Sequence, residues 1–178
     1  MKIHLAKSIG EARTKLGAFD KALNLCGIQD RNLIYLSSVV PPLSEIVEHD
    51  KAIPDENVTG TWGDRQYVVM AEMRTAEIGE RIAAGIGWWQ FVNEDGEIDE
   101  QHDGRGLFVE HVGESEDYVK QQIIDSLIDL RETRGIPLEY GRVSMSTIEA
   151  TCGILPVSVM VVATYQSSDW DNNPSYNK

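Results

Sequence analysis

The sequence predicts an α/β domain, and three observations carry that expectation. The chain has 178 residues of which 42% are apolar, enough for one buried core. Five apolar runs of strand character are interleaved with three segments of helical periodicity, the mixed order of a layered fold. No apolar run approaches the ~18 to 20 residues of a membrane span. The opening Met-Lys-Ile-His-Leu-Ala-Lys lacks an apolar segment followed by a small-residue cleavage site, so the expected address is the cytoplasm.

The elements follow in order. Leu16, Phe19, Leu23 and Cys26 recur at helical spacing, and Gly27 is placed as a left-handed C-cap. Asp20 borders the apolar stripe of this helix. Asn32 to Val40 is a β-branched and aliphatic run ended by Pro41-Pro42, expected to be one strand buried on both faces. The two hydroxyls in its middle, Ser37 and Ser38, would then need partners. Gln66 to Glu72 predicts a second strand. Ala76 to Trp89 holds Ile78, Ile82, Ala83 and Ile86 at helical spacing with two glycines, which predicts a closely packed helix. Residues 93–104 are densely acidic, but they lack calcium-loop spacing and strand-like Leu107-Phe108-Val109 follows, so a solvated hairpin connection is expected. Leu107 to His111 is a strand. Ser115 to Arg134 is a long helix with Val119, Ile123, Leu127 and Leu130 on one face, widened by Ile124 and Ile128, and Gly135 after its end. Arg142 to Ile148 and Gly153 to Tyr165 are expected as strands near a sheet centre, with Pro156 at the second one's start. The tail from Ser167 is polar and expected to fray.

Charge narrows the partners. The formal net charge is −13. Residues 1–37 carry six basic side chains (Lys2, Lys7, Arg13, Lys15, Lys21, Arg31) and three acidic ones (Glu11, Asp20, Asp30), a balance of +3 that leaves −16 for the remainder. Such a chain repels nucleic acid and favours a small cation. Cys26 and Cys152 fit neither a disulfide framework nor a zinc pattern, and are expected as buried thiols. His4, His49, His102 and His111 are scattered without the spacing of metal ligands, so no metal is expected. Walker, dinucleotide-binding, nucleophile-elbow and zincin motifs are absent from the sequence.

The segment Leu16-Gly-Ala-Phe19-Asp20-Lys-Ala-Leu23, then Gly27-Ile28, then Asn32-Leu-Ile-Tyr-Leu-Ser37-Ser38-Val-Val-Pro41-Pro42 resembles the pyruvoyl-dependent arginine decarboxylase family. In register with it are Ala76-Glu77-Ile78 leading into Ile82-Ala-Ala-Gly85-Ile86, Gly106-Leu-Phe-Val-Glu110, and the apolar run after Cys152-Gly153, so the resemblance spans about residues 10–165. The Asn-Leu-x-x-x-Ser-Ser-x-x-Pro-Pro element is its most specific part.

The resemblance implies a four-layer αββα sandwich in one domain, assembled as a homotrimer or a dimer of trimers with active sites shared between neighbours. It implies a proenzyme cut between Ser37 and Ser38. The Ser38 hydroxyl attacks the Ser37 carbonyl, and the peptide bond gives way to an ester. Elimination across Ser38 releases residues 1–37 as a β chain and leaves dehydroalanine, which hydrolyses to a pyruvoyl group and ammonia at the head of an α chain of residues 38–178. The pyruvoyl group serves as the electron sink that pyridoxal phosphate supplies elsewhere. By the same resemblance Glu110 donates a proton to the substrate's Cα, a role that asks for burial to raise its pKa. Asn32 assists at the scissile carbonyl, Asp20 receives a guanidinium, and the substrate is the cationic amino acid L-arginine, yielding agmatine and carbon dioxide. Gln29, Asp30 and Arg31 occupy the connection that shapes the family's pocket, where Arg31 either repels the guanidinium or pairs with Asp20 or Asp30. A pyruvoyl enzyme for another amino acid, or an uncut trimeric binding protein, are the alternatives.

Overall fold

A computed structural model describes residues 1–93, 95, 97, 98 and 103–166. Its elements run β1 (Lys2–Glu11), α1 (Lys15–Cys26), β2 (Asn32–Tyr35), β3 (Val39–Val40), β4 (Glu45–Glu48), β5 (Arg65–Thr75), β6 (Arg81–Gln90), β7 (Gly106–Gly113), α2 (Glu116–Thr133), β8 (Arg142–Thr151) and β9 (Val157–Tyr165), with a short 3-10 turn at Asp55–Asn57. One sheet has the order β2-β5-β9-β1-β4 and the other β3-β7-β6-β8.

Alternation along each central strand builds three apolar clusters. Ile3 and Leu5 of β1, Val69 and Ala71 of β5, and Val157, Val159, Val161 and Ala163 of β9 meet Ile82, Ala84, Ile86 and Trp88 of β6 and Phe108 of β7, so the largest cluster joins the two sheets. The opposite faces take the helices. Ala22, Leu23 and Cys26 of α1 lie with Ala6, Val68, Met70, Met160 and Val162. Val119, Ile123 and Leu127 of α2 lie with Ala83, Trp89, Leu107 and Val109. Both helices begin on expected chemistry, Thr14 and Ser115 accepting from the backbone N–H groups of Gly17 and Tyr118. Gly27 closes α1 in the left-handed region at φ 84°, its N–H bonded to the Asn24 carbonyl.

Several expectations are corrected. Residues 76–89 do not form a helix: β6 is a strand buried almost throughout, and the apolar residues at apparent helical spacing belong to two buried faces, while Ile78 lies outside it and is exposed. A strand covered on both sides loses its period-two signature. The glycines have another use, since a Cβ at Gly87 would enter the space of the Ile123 side chain, and one at Gly85 would stand 2.7 Å from Val119. Residues 32–40 are not one buried strand either. They split into β2 and β3, edge strands of different sheets, and Ile34, Tyr35 and Val39 are exposed. β-Branched composition marks extended backbone without marking its place in a sheet.

β8 is an edge strand, not a central one, whereas β9 is central as expected and Pro156 directly precedes it. Ile124 is exposed and does not widen the buried face of α2. Two strands carry no clear period in the sequence, β1 at Lys2–Glu11 and β4 at Glu45–Glu48. Cys26 and Cys152 are buried free thiols, and burial pushes Cys26 up to about 11. In the acidic connection, Val92 and Ile98 form an antiparallel bridge and the Glu97 N–H donates to Asn93 Oδ1. His102 and the tail from Ser167 lie outside the described residues.

Gly87→Ala, which adds only the Cβ, is expected to lower stability by about 1–3 kcal/mol through overpacking against Ile123, read as a reduced urea midpoint.

Candidate active site

β2 runs parallel to β5 at the edge of its sheet, and the Leu36 N–H continues the ladder to the Val68 carbonyl. The chain then changes sheets. Ser38 accepts at its carbonyl from the Phe108 N–H at 2.8 Å, and Val39 pairs with Leu107 of β7. The Ser37–Ser38 peptide therefore lies in the step between the two sheets. Ser38 makes this step with φ 65°. A non-glycine residue in that left-handed region carries local strain, held by the hydrogen bonds on either side.

The same turn aims the Ser38 side chain at β7. Its hydroxyl lies 2.8 Å from both carboxylate oxygens of Glu110. Glu110 itself is opposite Ile86 in the β6–β7 ladder and is exposed on the single chain. Tyr165, the fully buried last residue of β9, donates its hydroxyl to the Val39 carbonyl at 3.2 Å, and its own carbonyl accepts from Gln66 Nε2 at 2.7 Å. Burial, and secondarily the Glu110 charge, hold the Tyr165 phenol well above its ordinary range, so it stays a donor. An open cavity of about 380 Å³ adjoins Ser38 and Glu110, with Phe108, His111, Ser126 and Asp129 on its walls. His111 Nε2 lies 2.8 Å from the Ser126 hydroxyl.

Among the residues singled out from the sequence, Ser37, Ser38 and Glu110 come together within one chain. Asn32 does not join them: it stands at the far end of β2 and donates Nδ2 to the Gly63 carbonyl at 2.6 Å. Asp20 is exposed on α1, and no hydrogen bond or ion pair links it to Ser38 or Glu110. Arg31 pairs with neither Asp20 nor Asp30: its Nη2 donates to the Gly60 carbonyl at 3.1 Å and lies 3.9 Å from Asp55. Tyr165 and the His111–Ser126 pair escaped the sequence reading. Tyr165 ends an apolar run and looks like core, and His111 carries no local motif.

A family model described as pyruvoyl-dependent arginine decarboxylase matches residues 2–164. The chain belongs to the pyruvoyl-dependent arginine decarboxylase family. A relative of that name from Halobacterium salinarum is 31% identical over 172 residues, covering 94% of this chain and 96% of the relative. Another from Picrophilus torridus is 28% identical over 119 residues, 62% of this chain and 63% of the relative. A third from Archaeoglobus fulgidus is 35% identical over 86 residues, 48% of this chain and 52% of the relative. The chain thus spans about half to two thirds of the length of the last two. The family match includes both Ser38 and Glu110.

Two expectations follow from this geometry. Ser38→Gly and Ser38→Ala both remove the hydroxyl, but only glycine accepts φ 65° without strain, so the glycine variant should be more stable than the alanine variant by about 1 kcal/mol in urea unfolding. Burial lowers the His111 pKa, with the Glu110 charge opposing more weakly. Folding then favours neutral His111, a contribution present above the unfolded value of 6.5 and lost as pH falls through the lowered folded value. His111→Asn should therefore shrink the loss of urea stability between about pH 7.5 and about pH 5.5.

Proposed function

We propose that the chain is a self-processing L-arginine decarboxylase that forms agmatine and carbon dioxide. The observation that carries the proposal is the Ser38 hydroxyl, 2.8 Å from both Glu110 oxygens, on a strained residue in the step between two sheets. Glu110 accepts the Oγ proton as Ser38 turns on the Ser37 carbonyl, and cleavage of the Ser37–Ser38 bond relieves the left-handed backbone. Residues 1–37 become the β chain and residues 38–178 the α chain, still woven into one domain because β1 lies between β9 and β4. The site fits a group made in place: the hydroxyl has an acid–base partner, the peptide on its N-terminal side is exposed, and a cavity adjoins both. The pyruvoyl group, once formed from Ser38, supplies the electron sink for decarboxylation.

In turnover Glu110 delivers a proton to the substrate's Cα, and Tyr165 keeps the Val39 carbonyl, and with it the neighbouring residue 38, in position. The architecture is a four-layer αββα sandwich, supported by the cluster shared between the sheets and by one helix on each opposite face. The assembly is a trimer, or a dimer of trimers, in the cytoplasm. Exposed Leu16, Ile34, Tyr35 and Val39 are suited to contacts between subunits. A neighbouring subunit brings Asp20 to the substrate's guanidinium and covers Glu110, and Asn32 acts at the shared site from there. The connection leaves room for the cation, since Arg31 is engaged by the Gly60 carbonyl and Asp55.

Purified protein should give two fragments on a denaturing gel and release carbon dioxide from L-arginine with matching agmatine. Ser38→Ala should remain one uncut chain without turnover, and Glu110→Gln should lose activity by about 10²-fold or more. An uncut chain that makes agmatine would end the proposal.

A further inference from the structure

A second cavity, of about 540 Å³, shares no wall with the one at Ser38. It opens where the free edge of β4 faces the ends of β6 and β8, and its volume is that of a small-molecule site. Ser44 is completely buried in its wall, and the Ser44 hydroxyl has no hydrogen-bond partner among the described residues. Native proteins rarely leave a buried hydroxyl unmet, so a turn of the Ser44 side chain toward the cavity would give it a partner there.

The charges around it support the same conclusion. Ile46 packs against the cluster between the sheets, and strand alternation puts Glu48 on the same face. Glu48 has no ion-pair partner among the described residues, and neither has Arg142 on the opposite wall. Opposite charges that line one cavity without meeting each other match a molecule carrying both. Trp88 adds an almost fully buried apolar and π-electron surface suited to an aliphatic stem.

We infer that this cavity is a second binding site, for a free zwitterionic amino acid, with the ammonium at Glu48 and the carboxylate at Arg142. A planar guanidinium takes a carboxylate in two parallel hydrogen bonds, which gives Arg142 its specificity for that end. Glu45 is paired with Lys2 at 3.8 Å, which leaves Glu48 and Glu97 against Arg142 on the walls, so a cationic amino acid is favoured over a neutral one. The inference stands apart from the reading of Ser38, because the two cavities share no residue.

The test is calorimetric titration of the Ser38→Ala protein with L-arginine, which carries both charges and is not consumed there. The same titration is run on Ser38→Ala/Glu48→Gln and Ser38→Ala/Arg142→Gln, with agmatine as the probe lacking a carboxylate. A binding component that weakens by about tenfold or more in both double variants is expected. Agmatine binding should fall with Glu48→Gln and be indifferent to Arg142→Gln. Identical titrations in all three proteins would overturn the site, and weakening in only one double variant would overturn its assignment to a zwitterion. Both substitutions are at the surface, and thermal melts of all three proteins verify that they stay folded. Arginine decarboxylation by the Arg142→Gln protein with Ser38 intact should equal wild type. Absence of agmatine formation from wild type would sink the catalytic reading alone.

Discussion

The structure depends on burying the inner faces of two sheets against each other. β9, β1 and β5 of one sheet and β6 of the other contribute most of that cluster, and Phe108 and Tyr165 close it at one end with their rings edge to face, 6.3 Å between centroids. Because both sheets are filled from segments distant in sequence, the chain between β2 and β3 has to step from one to the other within three residues. That constraint puts Ser38 in the left-handed region and turns its side chain toward β7. The strained residue is a product of the global packing, not of its own sequence preference.

The core and the site are also coupled through Tyr165. Its ring is in the cluster between the sheets, and its hydroxyl holds the Val39 carbonyl, one residue beyond Ser38. A buried phenol kept protonated is a dependable donor, and it fixes the first residue after the step while Phe108 fixes Ser38 itself. Rigid positioning of this kind suits the self-processing proposed for Ser38, because attack geometry tolerates errors of a fraction of an ångström. On the far side of β6, Gly85 and Gly87 let Ile123 of α2 close onto the strand, so the support of β7 and Glu110 rests on residues with no side chain at all.

How far the sequence could be read differed by element. The first helix, its Gly27 cap, the long second helix and the β9 run were legible because each signal is local: 3.6-residue spacing, a cap residue, or an unbroken β-branched stretch. β6 was not, since burial on both faces erases alternation and its small residues mimic a packed helix. β1 was missed for a similar reason, because His4, Ser8 and Gly10 interrupt its apolar pattern on the face that receives α1. At the site, the Ser37-Ser38 pair stood out as hydroxyls in an apolar run, and Glu110 entered only through resemblance to a family. Tyr165 and His111 carried no signal of their own.

The sequence by itself determined the two helices that form, the unbroken apolar run of β9, and that the chain bears the motif of its family, because these properties are written in neighbouring residues. Only the tertiary structure decided that residues 32–40 are split between two sheets, that Ser38 meets a carboxylate 72 residues away, and that Asn32 and Asp20 stand apart from it within one chain. The physical reason is that strand pairing and face-to-face packing are contacts between distant segments, and local composition carries no record of which edge a strand will occupy.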